Sequence, residues 1–318
     1  MSIVFLVAGF VLLLIGGELL VRGAASLAHR LGMSPLLIGL TVVAFGTSAP
    51  ELVVSVDAAL DGSPGIAIGN VVGSNISNIL LILGLGAVIR PVPAQAASLL
   101  RDGGMVLLAS VVVAAVGWSG VFRWWQGGLM VAALTLYLIV SYRHDMRDAA
   151  LRALPDVTAP PAQSLLRALQ FIVLGLVGLV LGAEWLVDGA VDIARSLGVS
   201  DEIIGVTLVA VGTSLPELAI VVVAARKGHT DMVFGNVVGS NIFNCLGILG
   251  VTALVAQIPV DLAAIGFDLL VMVGVTLLLL PLAASGRRMS RPEGVVLLTL
   301  FVAFVAINFL GKPVLDGS

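Results

Sequence analysis

The chain has 318 residues, 59% of them hydrophobic and 11% charged, against about 25% charged in ordinary soluble domains. Apolar stretches long enough to cross about 30 Å of hydrocarbon recur along its length, so a soluble enzyme is excluded and an all-α, polytopic membrane protein is expected. The net charge of −3 says little, since the placement of charge matters more than its sum, and no nucleic-acid partner is expected.

Ten spans are expected, at about 3–28, 35–60, 65–89, 99–118, 124–142, 167–194, 202–225, 231–256, 262–284 and 293–311. The first lacks a basic leader and is too long for a cleavable signal. It contains Glu18, and its counterpart, the sixth, contains Glu184; each suits either a stabilising buried pair or a place on an ion path. The second span holds Gly46-Thr47-Ser48-Ala49-Pro50-Glu51. A glutamate at the centre of such a segment costs roughly 2.5–3.5 kcal/mol on insertion scales, which marks a functional site. Pro50 lacks an N–H and clashes with the carbonyl of Gly46, so the helix should break there. Freed backbone at membrane depth is tolerated only where protein or a watery cavity meets it.

The third span carries Gly69-Asn70-Val71-Val72-Gly73-Ser74-Asn75-Ile76-Ser77-Asn78. Gly69 and Gly73, like Gly235 and Gly239, form small-xxx-small patterns that let helices approach closely. A charged segment with a Pro160-Pro161 pair follows the fifth span. It divides the chain into 1–142, a linker at 143–166, and 167–318. The second part then repeats the first without gaps, at an offset of 166: Glu51 matches Glu217, Thr47 matches Thr213, and Asn78 matches Asn244. The seventh span reads Gly212-Thr213-Ser214-Leu215-Pro216-Glu217. The eighth repeats the third motif with one change, Phe243 for Ser77. Five spans per half force the second half to enter from the opposite side. The expected fold is therefore two inverted-topology five-helix repeats with helices 2 and 7 broken, and sites in such folds lie near the midplane between the repeats. Only Arg123, Arg195 and Lys312 of the sixteen basic residues fall on one side of this layout, so both termini are expected outside and the linker in the cytoplasm.

Positions i, i+3 and i+4 share a helix face, which groups Thr47, Ser48 and Glu51, and likewise Thr213, Ser214 and Glu217. Ser74 with Asn78, and Ser240 with Asn244, are i, i+4 pairs. Facing each other, the halves offer carboxylates, amides, hydroxyls and released carbonyls, all hard oxygen donors. Such donors favour Ca²⁺, Mg²⁺ or alkali ions over softer metals. Ca²⁺ takes 6–8 oxygens in flexible geometry whereas Mg²⁺ keeps its waters, so calcium fits best. Two ionised glutamates neutralise one Ca²⁺; without it, the pair needs a proton or monovalent cations. Sodium is the natural counter-ion. Taken singly, Thr and Ser in membrane helices often just bond the i−4 carbonyl, and Asn often joins helices.

GTSAPE with GNVVGSNISN, repeated as GTSLPE with GNVVGSNIFN, resembles the two alpha-repeats of the sodium/calcium exchanger family. The resemblance covers nearly the whole chain and is that of a compact prokaryotic member without regulatory domains. It implies that Glu51 and Glu217 ligate calcium and sodium. Thr47, Ser48, Ser74, Thr213, Ser214 and Ser240 would complete flanking sodium sites, Asn78 and Asn244 would line the middle, and the carbonyls of Ala44 and Ala210 would serve sodium. It also implies an electrogenic exchange of three Na⁺ for one Ca²⁺ in the inner (cytoplasmic) membrane, with ions as substrates and no cofactor; membrane lipid is the expected partner, and the sequence does not set the oligomeric state, a monomer being one option. The first and sixth spans would slide across the rest to give alternating access.

Some relatives carry Asp where this chain has Asn244; with two carboxylates rather than three, no potassium co-transport is expected. The proton/calcium branch usually has a glutamate in the GN segment where this chain has Gly73 and Gly239, which disfavours that alternative. An intramembrane hydrolase lacks a nucleophile–base signature here, and a passive channel does not require occluded carboxylates.

Overall fold

The computed structural model describes residues 2–94, 98–151, 164–196 and 212–310. Among these, eleven long helices run in chain order. They are α1 (Ser2–Leu31), α2 (Pro35–Thr47), α3 (Ala49–Leu60), α4 (Pro64–Ile89), α5 (Leu99–Trp118), α6 (Trp124–Leu151), α7 (Leu165–Ser196), α8 (Leu215–Lys227), α9 (Thr230–Val255), α10 (Leu262–Ala284) and α11 (Arg291–Leu310). Eight are long and apolar enough to cross a membrane, and α2 with α3 makes a ninth span bent by 45°. The first half of the expected seventh span lies outside the described residues.

Local chemistry explains the ends. Ser34 caps α2 by accepting the Leu37 N–H at 3.1 Å, with Pro35 in the first turn, where no donor is missed. Asp261 caps α10 through the Ala263 N–H at 3.0 Å. Gly228, at φ +84°, closes α8 in the left-handed conformation that a side chain resists, after Arg226 and Lys227 in the last turn.

The span expected at 124–142 runs on as helix to Leu151, into the expected linker. Its extension is polar but internally supported. His144 and Asp148 sit one turn apart at 3.3 Å, and Asp145 accepts the Ser34 N–H at 2.8 Å, which ties the extension to the start of α2.

α4 and α9 form the centre: 67% and 83% of their apolar windows are buried, against 28% for α1 and for α7. α1 and α7 lie antiparallel along one side. Gly9 meets Gly182, Gly16 meets Gly175, and Gly23 meets Ala168. A Cβ on Gly16 would stand 2.7 Å from the Leu179 nitrogen and 2.8 Å from the Gly175 carbonyl oxygen, so no side chain fits this seam. Gly235 and Gly239 similarly press on the Leu36 and Leu40 carbonyls of α2, as expected for close approach. For Gly69 and Gly73 no atom among the described residues lies within 4 Å of such a Cβ.

Four two-residue strands join helix ends: β1 (Val92–Pro93), β2 (Val121–Phe122), β3 (Ile258–Pro259) and β4 (Arg288–Met289). β1 pairs with β4 and β2 with β3, both antiparallel. β3 stands at the 166-residue offset from β1. Ser110 and Thr276, also offset by 166, meet at 3.3 Å in the core.

Candidate functional site

The site begins at the break between α2 and α3. Ser48 lies between them at φ −86°, ψ 9°, off the helical path, and Pro50 occupies the first turn of α3. Glu51 follows in that same turn, where unpaired main-chain N–H groups and the helix dipole favour a carboxylate. α8 repeats the arrangement: Ser214 at φ −89°, ψ 4°, then Pro216 and Glu217 in the first turn.

The two motifs meet. Ser48 Oγ donates to Glu217 Oε1 at 2.9 Å across 169 residues of sequence. Glu51 and Glu217 are each 1% exposed and lie within electrostatic reach of one another. Thr47, Ser48, Ser74, Asn78, Ser214, Ser240 and Asn244 are buried as well, while Thr213 is half-buried. Ala44 is buried; Ala210 lies outside the described residues.

Hydroxyl protons set which lone pairs remain free. Thr47 donates to the Val43 carbonyl at 3.1 Å and lies 3.2 Å from that of Ala44, so its oxygen can only accept on the side facing away from its own helix. The Ala44 carbonyl also takes the Ser48 N–H at 3.0 Å. Asn70 braces the break from α4 by donating to the Glu51 carbonyl at 3.1 Å and to Ser55 Oγ at 3.0 Å.

Asn78 and Asn244 sit in π-helical turns, Asn78–Leu83 and Phe243–Ile248. A π turn widens the helix by one residue and is common at functional sites. The first packs against α8 and the second against α3, which brings both turns to the helices that carry the glutamates. The sequence does not reveal the π turns or the hydrogen-bond partners of Asn75 and Asn241. The signal for the two asparagines was present, because both stand inside the ten-residue repeated motif.

Several buried oxygens make no hydrogen bond: Glu51 Oε2, Glu217 Oε2, Asn78 Oδ1, Asn244 Oδ1 and Ser240 Oγ. Buried acceptors without donors are rare and call for a positive partner. Among the described residues no three His, Cys, Asp or Glu side chains converge, so a soft-metal centre does not form there. Chemically, such a set of oxygens can hold a hard cation. Glu18 and Glu184 stand apart from it. Glu18 pairs with Arg22 on its own helix and with Lys227 at the end of α8, and Glu184 is exposed.

The family profile described as sodium/calcium exchanger protein matches residues 1–143 and 167–310. The sodium/calcium exchanger MaX1 of Methanosarcina acetivorans is 33% identical over 347 aligned residues, covering 97% of this chain and 98% of that protein. The inner membrane protein YrbG of Escherichia coli is 35% identical, covering 98% and 97%. A solved structure of the sodium-calcium exchanger NCX_Mj, soaked with Na⁺ and Sr²⁺, superposes with a TM-score of 0.84 at 36% identity, covering 96% of this chain and 97% of that one.

Proposed function

The chain belongs to the sodium/calcium exchanger protein family, and from that premise we propose that it exchanges Na⁺ for Ca²⁺, three for one and without potassium, across the inner membrane. The coarser statement stands by itself: the protein is a cation/calcium antiporter, a transporter rather than an enzyme, with ions as substrates and no cofactor.

One observation carries the finer reading. The Ser48–Glu217 hydrogen bond draws the second repeat's carboxylate to the first repeat's break, beside Glu51, in a place shut off from solvent. Two carboxylates balance one divalent ion, and Ca²⁺ accepts the mixed carboxylate, amide, hydroxyl and carbonyl oxygens on offer. The loaded pocket is then neutral and can cross the membrane interior at low cost. Two of three sodium ions spread over the same oxygens and the flanking groups would compensate the same charge, and the third would carry the net charge moved. The ligand set is Glu51 and Glu217, with Thr47, Ser48, Ser74, Asn78, Thr213, Ser214, Ser240, Asn244 and the carbonyls of Ala44 and Ala210. The frame is ten membrane helices in two inverted repeats, 1–142 and 167–318, joined by a cytoplasmic linker at 143–166, with both termini outside. The glycine-packed α1–α7 pair is the element that slides between the two access states.

The test is sodium-gradient-driven ⁴⁵Ca²⁺ uptake into proteoliposomes. Uptake is expected in the wild type and absent in Glu51→Gln and in Glu217→Gln. Uptake persisting in either variant would remove that glutamate from the site.

A further inference from the structure

We infer that Asn241 is a positioning residue which, through a directional relay of amides, turns the side-chain oxygen of Asn78 into a fixed cation ligand; this rests on the ion site proposed above. The relay starts at a main-chain carbonyl. Asn241 Nδ2 lies 3.2 Å from the carbonyl oxygen of Asn75. A carbonyl only accepts, so the nitrogen of Asn241 must face it and the oxygen must face the other way. That oxygen meets Asn78 Nδ2 at 2.9 Å. Asn78 therefore has to present its nitrogen to Asn241, which leaves Oδ1 as its free atom. Oδ1 of Asn78 is buried and makes no hydrogen bond in the protein. All three residues are at most 1% exposed, so water does not compete for these groups.

Turning an amide costs about the bonds it breaks, and here both are buried. Asn78 is thus held with its dipole's negative end free, the orientation a cation requires. Without Asn241 no other hydrogen bond among the described residues fixes which end of the Asn78 amide is free, and one of its two orientations would oppose a cation.

The relay holds Asn78 but not its counterpart Asn244. Asn75, which matches Asn241 at the 166-residue offset, turns its Nδ2 instead to Cys245 Sγ at 2.9 Å and lies 3.6 Å from Met272 Sδ. Where Cys245 stands, the first repeat has Ile79, which offers no acceptor. Asn244 consequently has neither its nitrogen nor its oxygen hydrogen-bonded among the described residues. Asn78 is a preset oxygen donor and Asn244 a rotor that takes its orientation from the ion.

A double-mutant cycle of Asn241→Ala and Asn78→Ala tests this, read by calcium half-saturation of flux and by the calcium-dependent rise of thermal stability in detergent. Asn241→Ala alone is expected to raise half-saturation about five- to tenfold, the worth of one buried hydrogen bond, with maximal rate within about twofold. In the Asn78→Ala background the same change should shift it by less than about twofold, because Asn241 acts only through Asn78. Additive effects in the cycle, or a fall in maximal rate at unchanged half-saturation, would overturn the inference. Should Asn241→Ala not fold, Asn241→Ser repeats the cycle with the same two outcomes, since its hydroxyl cannot bridge both partners. Glu51→Gln run in parallel separates the two readings: calcium binding unchanged by it defeats the site itself, whereas its loss together with additivity at Asn241 and Asn78 defeats only the relay.

Discussion

The hydroxyl of Ser48 has a single proton, and where it goes decides what Glu217 can do. Donated to Oε1, it orients the carboxylate and leaves Oε2 free and buried. A hydrogen bond to a charged group contributes about 1.5–3 kcal/mol, so Ser48→Ala is expected to raise the calcium half-saturation of transport by about tenfold or more. The control is Ser77→Ala, at a residue outside the proposed ligand set; if it matched Ser48→Ala, the effect would be one of helix packing. Helical spacing alone already groups Thr47, Ser48 and Glu51 on one face. It could not reveal that Ser48 serves the glutamate of the other repeat, since that bond exists only once α3 and α8 are brought together. The same holds for Asn241 and Asn75, whose motif was visible while the direction of their bonds was not.

At the scale of elements, the break in the second span was legible because proline chemistry is local: Pro50 cannot continue the backbone ladder, and the chain bends by 45° at Ser48. The length of α6 was not. Charged residues from Arg143 onward read as linker, yet an ion pair and the Asp145–Ser34 contact carry the helix to Leu151. The α1–α7 seam gives a prediction of its own. Gly16→Val forces a Cβ into backbone 2.7 Å away and should destabilise the protein by about 1–3 kcal/mol, seen as a lower melting temperature in detergent with lost flux. Gly274→Ala, in the exposed interior of α10 with no atom within 4 Å of the new Cβ among the described residues, should be neutral or stabilising by about 0.4–1 kcal/mol. A seam that tolerated valine as well as α10 tolerates alanine would mean that α1 and α7 separate without consequence.

For the whole molecule, the consequence of the proposed stoichiometry is electrical. Three Na⁺ against one Ca²⁺, as proposed, would move one net charge per cycle, so flux should follow a membrane potential set by potassium and valinomycin. Outwardly negative and outwardly positive vesicles should differ in rate, and adding potassium on both sides without ionophore should change nothing. A pH gradient substituted for the sodium gradient should not drive uptake; uptake driven by protons at the same rate would replace sodium as the coupling ion.

The sequence by itself determined the membrane class, eight of the span positions to within a few residues among the described helices, and the pairing of motifs at an offset of 166. Each of these follows from local or periodic properties: hydropathy over about 20 residues, proline's missing donor, and direct repetition. Only the tertiary structure decided which hydroxyl faces which carboxylate, which amide oxygens stay unbonded, and how the second repeat departs from the first. Hydrogen-bond direction depends on partners more than a hundred residues away, and a polar side chain in a dry interior must satisfy whichever partner the packing supplies.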